Sequence, residues 1–248
     1  MNDAIEKFHE FGYAVLPKII SPEKIDRIFS ELDTLMAMAI QNKGDAPEKF
    51  PGVDAKYTYL KENYPTMKSH VYDLMKHLDA VQSVANQSDI IAFLHKLATT
   101  PVLVDNILIR MDDKSNDRLR PYHQEGLGQI SYKSYNLWIP LRDVNLATGT
   151  MKFIPKTHQQ GYVPHKFYEN FGNYHGICEE YIDESKVEHA ILQRGDALFF
   201  HPCLFHGSAP MTKDTGMRWT LIARYNSLFE VPYLSQDDAP KHIPQIAG

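Results

Sequence analysis

Cysteine is scarce in this chain. Its two examples, Cys178 and Cys203, lie 25 positions apart with no CxxC or zinc-ribbon spacing, which argues against a disulfide framework or a structural zinc site. Both read as free thiols, and Cys203 as a small buried hydrophobe. Long apolar runs are also missing, so no segment reads as a membrane span. Basic residues do not dominate either: 26 Lys and Arg stand against 31 Asp and Glu, for a formal net charge of −5. No concentrated basic run offers the footprint that nucleic acid needs. The opening residues MNDAIEKFHEFGY carry charges where a leader peptide needs an apolar core. These absences leave an expected cytoplasmic protein, monomer or homodimer, whose partner is a small molecule rather than a membrane or a nucleic acid.

What is present fits one globular domain of 248 residues, with 43% hydrophobic and 23% charged side chains. Ile5, Phe8 and Phe11 recur at helical spacing before Gly12, and the strand-like Tyr13 to Leu16 follows. Ser21-Pro22-Glu23 is a helix start with a hydroxyl cap, proline in the first turn and an acid behind it; Ile25, Ile28, Leu32 and Leu35 carry that helix to about residue 42. Residues 42 to 63 hold Gly44, Pro47, Pro51 and Gly52 without a consistent period, and predict a long loop able to contact a substrate. Helical pattern returns at about 66 to 77 and 79 to 97.

From Val102 the texture becomes β-branched. VLVDNILIRM, SYNLWIPLRDV, MKFIPKTH, HAIL, ALFFH and MRWTLIARYNSLF read as strands, separated by the charged loop Asp112 to Leu119, the turn LATGT and the turn Arg194-Gly195-Asp196. Residues 159 to 186, rich in aromatics and His, predict an irregular segment over a site. A helical front of about 1–100 followed by short strands of about 101–230 gives a mainly β fold with flanking α-helices, a sandwich or barrel. The tail after Tyr233 is polar and proline-bearing.

One triplet concentrates the chemistry. In PYHQEG, His123 and Glu125 are two residues apart, and on a strand such a pair shares a face. An imidazole and a carboxylate so placed can converge on a metal, with His206 in FHGSAP as the best third ligand. Two histidines and a carboxylate with open positions opposite form the facial triad of non-haem Fe(II) oxygenases. His201, in FFHPCLFH, competes for the third place but lacks the following Gly-Ser. His158, in KTH, and Asp196 read as turn residues.

Several stretches, in order and spacing, resemble the phytanoyl-CoA dioxygenase family of Fe(II)/2-oxoglutarate oxygenases: FHEFGYAVLPKIISPEKIDRI, the HQE triplet, NLWIPLRDVNLATGTMKFIPKTH, GDALFF, and HGSAP followed by Arg218. The resemblance implies a double-stranded β-helix, or jelly-roll, core. It makes His123, Glu125 and His206 the iron ligands and Arg218, twelve residues after His206, the partner of the distal carboxylate of 2-oxoglutarate, with Ser208 bonding the same group. Trp138 and Ile107 fall where pocket residues lie in relatives. The implied cofactors are Fe(II), 2-oxoglutarate and O2, and the implied reaction is hydroxylation; the Lys, His, Asn and Tyr content of residues 42–63 and 159–186 points to a small, polar metabolite or natural-product intermediate as the substrate rather than a fatty acyl chain. The family norm is His-x-Asp, so Glu125 is a departure: its extra methylene moves the carboxylate outward by roughly 1.5 Å. Two rival readings remain, a catalytically silent binding module and a cupin-type isomerase or hydrolase that needs no 2-oxoglutarate.

Overall fold

The computed structural model describes residues 1–98, 102–115, 119–125, 134–171, 174–214 and 216–227. Gly126, part of the charged loop before the HQE triplet and the polar tail lie outside them.

Helix α1 (Asn2–Phe11) ends at Gly12, whose φ of 84° is left-handed and whose amide closes on the carbonyl of Phe8. Glycine is required there twice over, because a β-carbon would also press on the His158 ring. Strand β1 (Tyr13–Leu16) follows, then α2 (Pro22–Asn42), which buries Ile25, Ile28, Leu32, Met36 and Ile40. The expected loop of residues 42 to 63 is corrected in part: after a 3-10 turn at Pro47–Lys49 comes α3 (Gly52–Asn63). Val53, Tyr57 and Leu60 bury one face at helical spacing, a pattern diluted by Lys56, which also lies buried and binds Asp33 at 2.8 Å. Helix α4 (Pro65–Met75) matches expectation. The single helix read over 79 to 97 is two, α5 (Asp79–Ala85) and α6 (Ser88–Leu97). The break holds buried Gln87, which donates to the carbonyl of Ile19 and accepts from Lys24.

Strands β2 (Val102–Asp112), β3 (Ser134–Pro140), β8 (Ala197–Phe200) and β10 (Arg218–Ser227) join β1 in a five-stranded antiparallel sheet of order β1-β8-β3-β10-β2. A second sheet of order β7-β4-β9 comprises β4 (Thr150–Ile154), β7 (Glu188–His189) and β9 (Phe205–Ala209). The segment expected to be irregular contains a hairpin, β5 (His165–Tyr168) with β6 (Tyr174–Ile177), among 3-10 turns.

Strand periodicity of two places the site. Leu137, Ile139, Phe199, Trp219, Leu221, Ala223 and Tyr225 face the helices and share one core with them. The residues between them, Trp138, Leu198 and Phe200, face the second sheet and pack with Met151, Phe153 and Leu192. Both faces of the large sheet are thus covered, which is why its strands read as nearly continuous apolar runs. The result is a jelly roll with helices against one side.

Asp54 ties the front to the strands. It accepts from Arg142 at 2.7 and 2.9 Å, from the Trp219 indole at 2.7 Å and from the Met217 amide at 3.3 Å. Asp54→Ala strands those donors and is expected to cost about 2 kcal/mol, an apparent Tm loss of about 4–8 °C by thermal denaturation; an unchanged Tm contradicts this anchoring.

Candidate metal centre

The HQE triplet does not form a regular strand. His123 makes an isolated antiparallel bridge to His206 on β9, with reciprocal amide-to-carbonyl bonds of 2.8 and 3.2 Å, while the Glu125 amide bonds Pro202 at 2.9 Å. This bridge sets the two imidazoles side by side, ring centroids 4.1 Å apart. It needs close chain approach, and Gly207 permits it: a β-carbon there would sit 3.0–3.1 Å from backbone atoms of Arg120 and Pro121.

Alternation still holds across the triplet, because Gln124 is fixed on the opposite side. Its amide donates to the carbonyls of Gly161 and Cys203, each at 2.8 Å, and accepts from the Val163 amide at 3.0 Å. His123 and Glu125 therefore turn together toward the interior.

Each imidazole Nδ1 lies 2.9 Å from a backbone carbonyl, Pro121 for His123 and Leu204 for His206. A carbonyl only accepts, so each Nδ1 carries a proton and each Nε2 is the ring atom turned inward, the one available to a metal. Glu125 Oε1 is 3.7 Å from His123 Nε2 and 3.4 Å from His206 Nε2, near the spacing of about 3 Å for adjacent donors each about 2.1 Å from one ion. Burial and the neighbouring His206 push the His123 pKa down to about 4, which keeps that ring neutral. For Glu125, burial alone would raise the pKa, but the two imidazoles beside it and the Arg224 charge outweigh it and hold the carboxyl well below its usual range. Two imidazoles and a carboxylate are a fitting donor set for a divalent transition metal, and these three residues form the only such cluster among the described residues.

Arg224 is the partner that sequence reading missed. Its Nε and Nη2 both reach Glu125 Oε2, at 2.8 and 2.7 Å, leaving Oε1 toward the histidines. The alternation along β10 places Arg224 on the same inner face as Arg218, and that register was readable; its carboxylate partner was not.

The cluster lines a cavity of about 400 Å³ between the two sheets. Arg218, Ser208 and Trp138 line it too. Arg218 is buried and bonded through Nη2 to Asp112 at 2.6 Å, and Asp112 also takes the Arg110 Nε at 2.8 and 3.0 Å. The Nε of Arg218 has no partner among the described residues. Ser208 accepts the Arg120 amide at 3.1 Å and keeps its own proton to donate. Ile107 is the exception among the expected site residues: it faces the helical core with Ile109, and Leu108 takes the cavity side. His201 lies apart from the cluster, packed on Phe8 and His158 with Nδ1 accepting the Cys203 amide.

A buried His-Glu-His face opening into the cleft of a jelly roll is the arrangement of the non-haem metal oxygenases. The chain belongs to the phytanoyl-CoA dioxygenase (PhyH) family, whose model matches residues 8–218. It is 23% identical to the rat peroxisomal phytanoyl-CoA dioxygenase over 255 residues, spanning 97% of this chain and 73% of that protein. Over 147 residues, about half of each chain, it is 26% identical to a 1-deoxypentalenic acid 11-beta-hydroxylase of Streptomyces arenae. Among solved structures, the fold matches the epimerase SnoN, in complex with Fe3+, alpha ketoglutarate and nogalamycin RO, with a TM-score of 0.63, 14% identity and 96% of each chain covered. HygX of Streptomyces hygroscopicus, with nickel and 2-oxoglutarate bound, matches with a TM-score of 0.60, 13% identity and coverage of 92% of this chain and 87% of that chain.

Because Arg224 fixes the oxygen that Glu125 presents, Arg224→Met is expected to weaken divalent metal binding about 10–100-fold in calorimetric titration with Ni(II). Glu125→Asp, which shortens the reach between Arg224 and the histidines, is expected to weaken it as well; unchanged affinity in both variants contradicts this role.

Proposed function

We propose that this chain is an Fe(II)- and 2-oxoglutarate-dependent oxygenase that hydroxylates a small polar molecule. The observation that carries the reading is the convergence of His123, Glu125 and His206 in a cavity that also holds the buried Arg218. Family membership supports it.

In this reading the two Nε2 atoms and Glu125 Oε1 would hold the metal, kept in place by the Nδ1-to-carbonyl bonds and by Arg224. Iron held there would supply the oxidative chemistry, in which O2 and 2-oxoglutarate are consumed, one oxygen atom entering a substrate C–H bond to give an alcohol and the other leaving in succinate as CO2 is released. Arg218 offers a planar guanidinium to the far carboxylate of 2-oxoglutarate, and Ser208 donates its hydroxyl beside it. Trp138, Met151 and Phe200 line the cavity with apolar surface and help to exclude water. Tyr57 of α3 and Lys68 and Tyr72 of α4 form part of the opposite wall, so part of the stretch first read as a loop contributes to the substrate side.

One observation favours a second reading, a metal-dependent enzyme of cupin type that needs no 2-oxoglutarate: Arg218 already spends one donor on Asp112. Its Nε, unpartnered among the described residues, and its cavity position favour the first reading.

Incubation with Fe(II), 2-oxoglutarate and O2 is expected to yield succinate, and His123→Ala to lower the rate at least 100-fold. Fe(II) binding without consumption of 2-oxoglutarate, across a panel of candidate substrates, contradicts the proposal and favours the cupin-type reading.

A further inference from the structure

The cavity is cationic in a chain that is acidic as a whole. Lys68, Arg110, Arg120, Arg218 and Arg224 line it, against the carboxylates of Asp112 and Glu125. Five cations against two carboxylates leave a surplus of three positive charges.

The carboxylates are already committed. Asp112 is shared by Arg110 and Arg218, and Glu125 is held by Arg224. Lys68 and Arg120 have no carboxylate partner among the described residues. Arg120 is nevertheless well placed: its amide and carbonyl both bond Ser208, and its guanidinium lies 4.0 Å from the centroid of the Tyr174 ring. That stacking holds the cation without spending an anion on it. Lys68 stands one helical turn from Tyr72 on the same face of α4, and both line the cavity.

Iron and its cosubstrate do not consume this surplus, since the two charges of Fe(II) cancel the two carboxylates of 2-oxoglutarate. A volume of about 400 Å³ lies at the small end of the range of about 300–1,000 Å³ for small-molecule sites. On the oxygenase reading, which this inference deepens, we propose that the molecule oxidised is a compact anion whose carboxylate or phosphate group is bound by Arg120 and Lys68, beside the Tyr72 and Tyr174 side chains. A cation pair of this kind selects by charge: the neutral analogue of the same shape leaves both cations unpaired beside it and is disfavoured.

The test uses the full chain loaded with Mn(II) and with N-oxalylglycine, an unreactive 2-oxoglutarate analogue, and reads the paramagnetic relaxation of small probes in solution. Acetate, inorganic phosphate and the neutral acetamide are compared. At least one anion is expected to show an enhancement fivefold or more above acetamide, falling to the acetamide level in Lys68→Met/Arg120→Met while Mn(II) and N-oxalylglycine bind as in the parent. The stronger of the two anions identifies the group recognised. Should the double variant fail to fold, Lys68→Met alone, at a half-exposed helix position, is expected to lower the enhancement at least twofold. Enhancements no greater than that of acetamide, or unchanged in the variants, overturn the anion subsite. Failure of N-oxalylglycine to bind the Mn(II)-loaded parent would instead overturn the oxygenase reading on which it rests.

Discussion

The site depends on how the two oxygens of Glu125 are divided. Oε2 belongs to Arg224 and Oε1 to the space between His123 and His206. A buried carboxylate with free rotation would be ambiguous as a ligand, able to offer one oxygen or two. Two guanidinium contacts on a single oxygen remove that freedom. The arrangement is costly to disturb, because removing one partner leaves the other charge uncompensated inside the protein. It also suggests how a glutamate works where the family norm is aspartate: the longer side chain reaches a cation on β10 and the metal face at once.

Every other part of the fold serves that geometry. The bridge between His123 and His206 pairs the rings, Gly207 lets the chains meet, and Gln124 prevents the triplet from turning over. The large sheet buries one face under the helices and turns Arg218 and Arg224 to the other. Asp54 fastens α3 to the start of β10, so the wall that carries Tyr57 is fixed relative to the strand that carries both arginines. The same logic explains the electrostatics, since the arginines that orient Glu125 and Asp112 also make the cavity positive.

Much of this was legible in the residues. HQE, FHGSAP and Arg218 named the cluster and the cavity, and alternating apolar runs named the strands. The miss at α3 arose because Pro51 and Gly52, read as loop punctuation, in fact open a helix, and because a buried lysine interrupts its apolar face. Gln87 split one periodic run into two helices through hydrogen bonds to distant residues, which no local period records. Ile107 was assigned to the cavity by resemblance, yet the pleat puts Leu108 there, a one-residue difference that moves a side chain to the opposite face. The pairings of Arg224 with Glu125 and of Arg218 with Asp112 each join positions about a hundred residues apart and needed the folded chain to appear.

Three protein donors gathered on one side of the cavity leave room for a chelating cosubstrate beside Arg218. Anaerobic addition of Fe(II) and then 2-oxoglutarate, followed by visible absorption, tests it without any knowledge of the substrate. A new absorption band that requires both additions and is lost in His206→Ala is expected. Tight Fe(II) binding with no change in the spectrum on adding 2-oxoglutarate would contradict it.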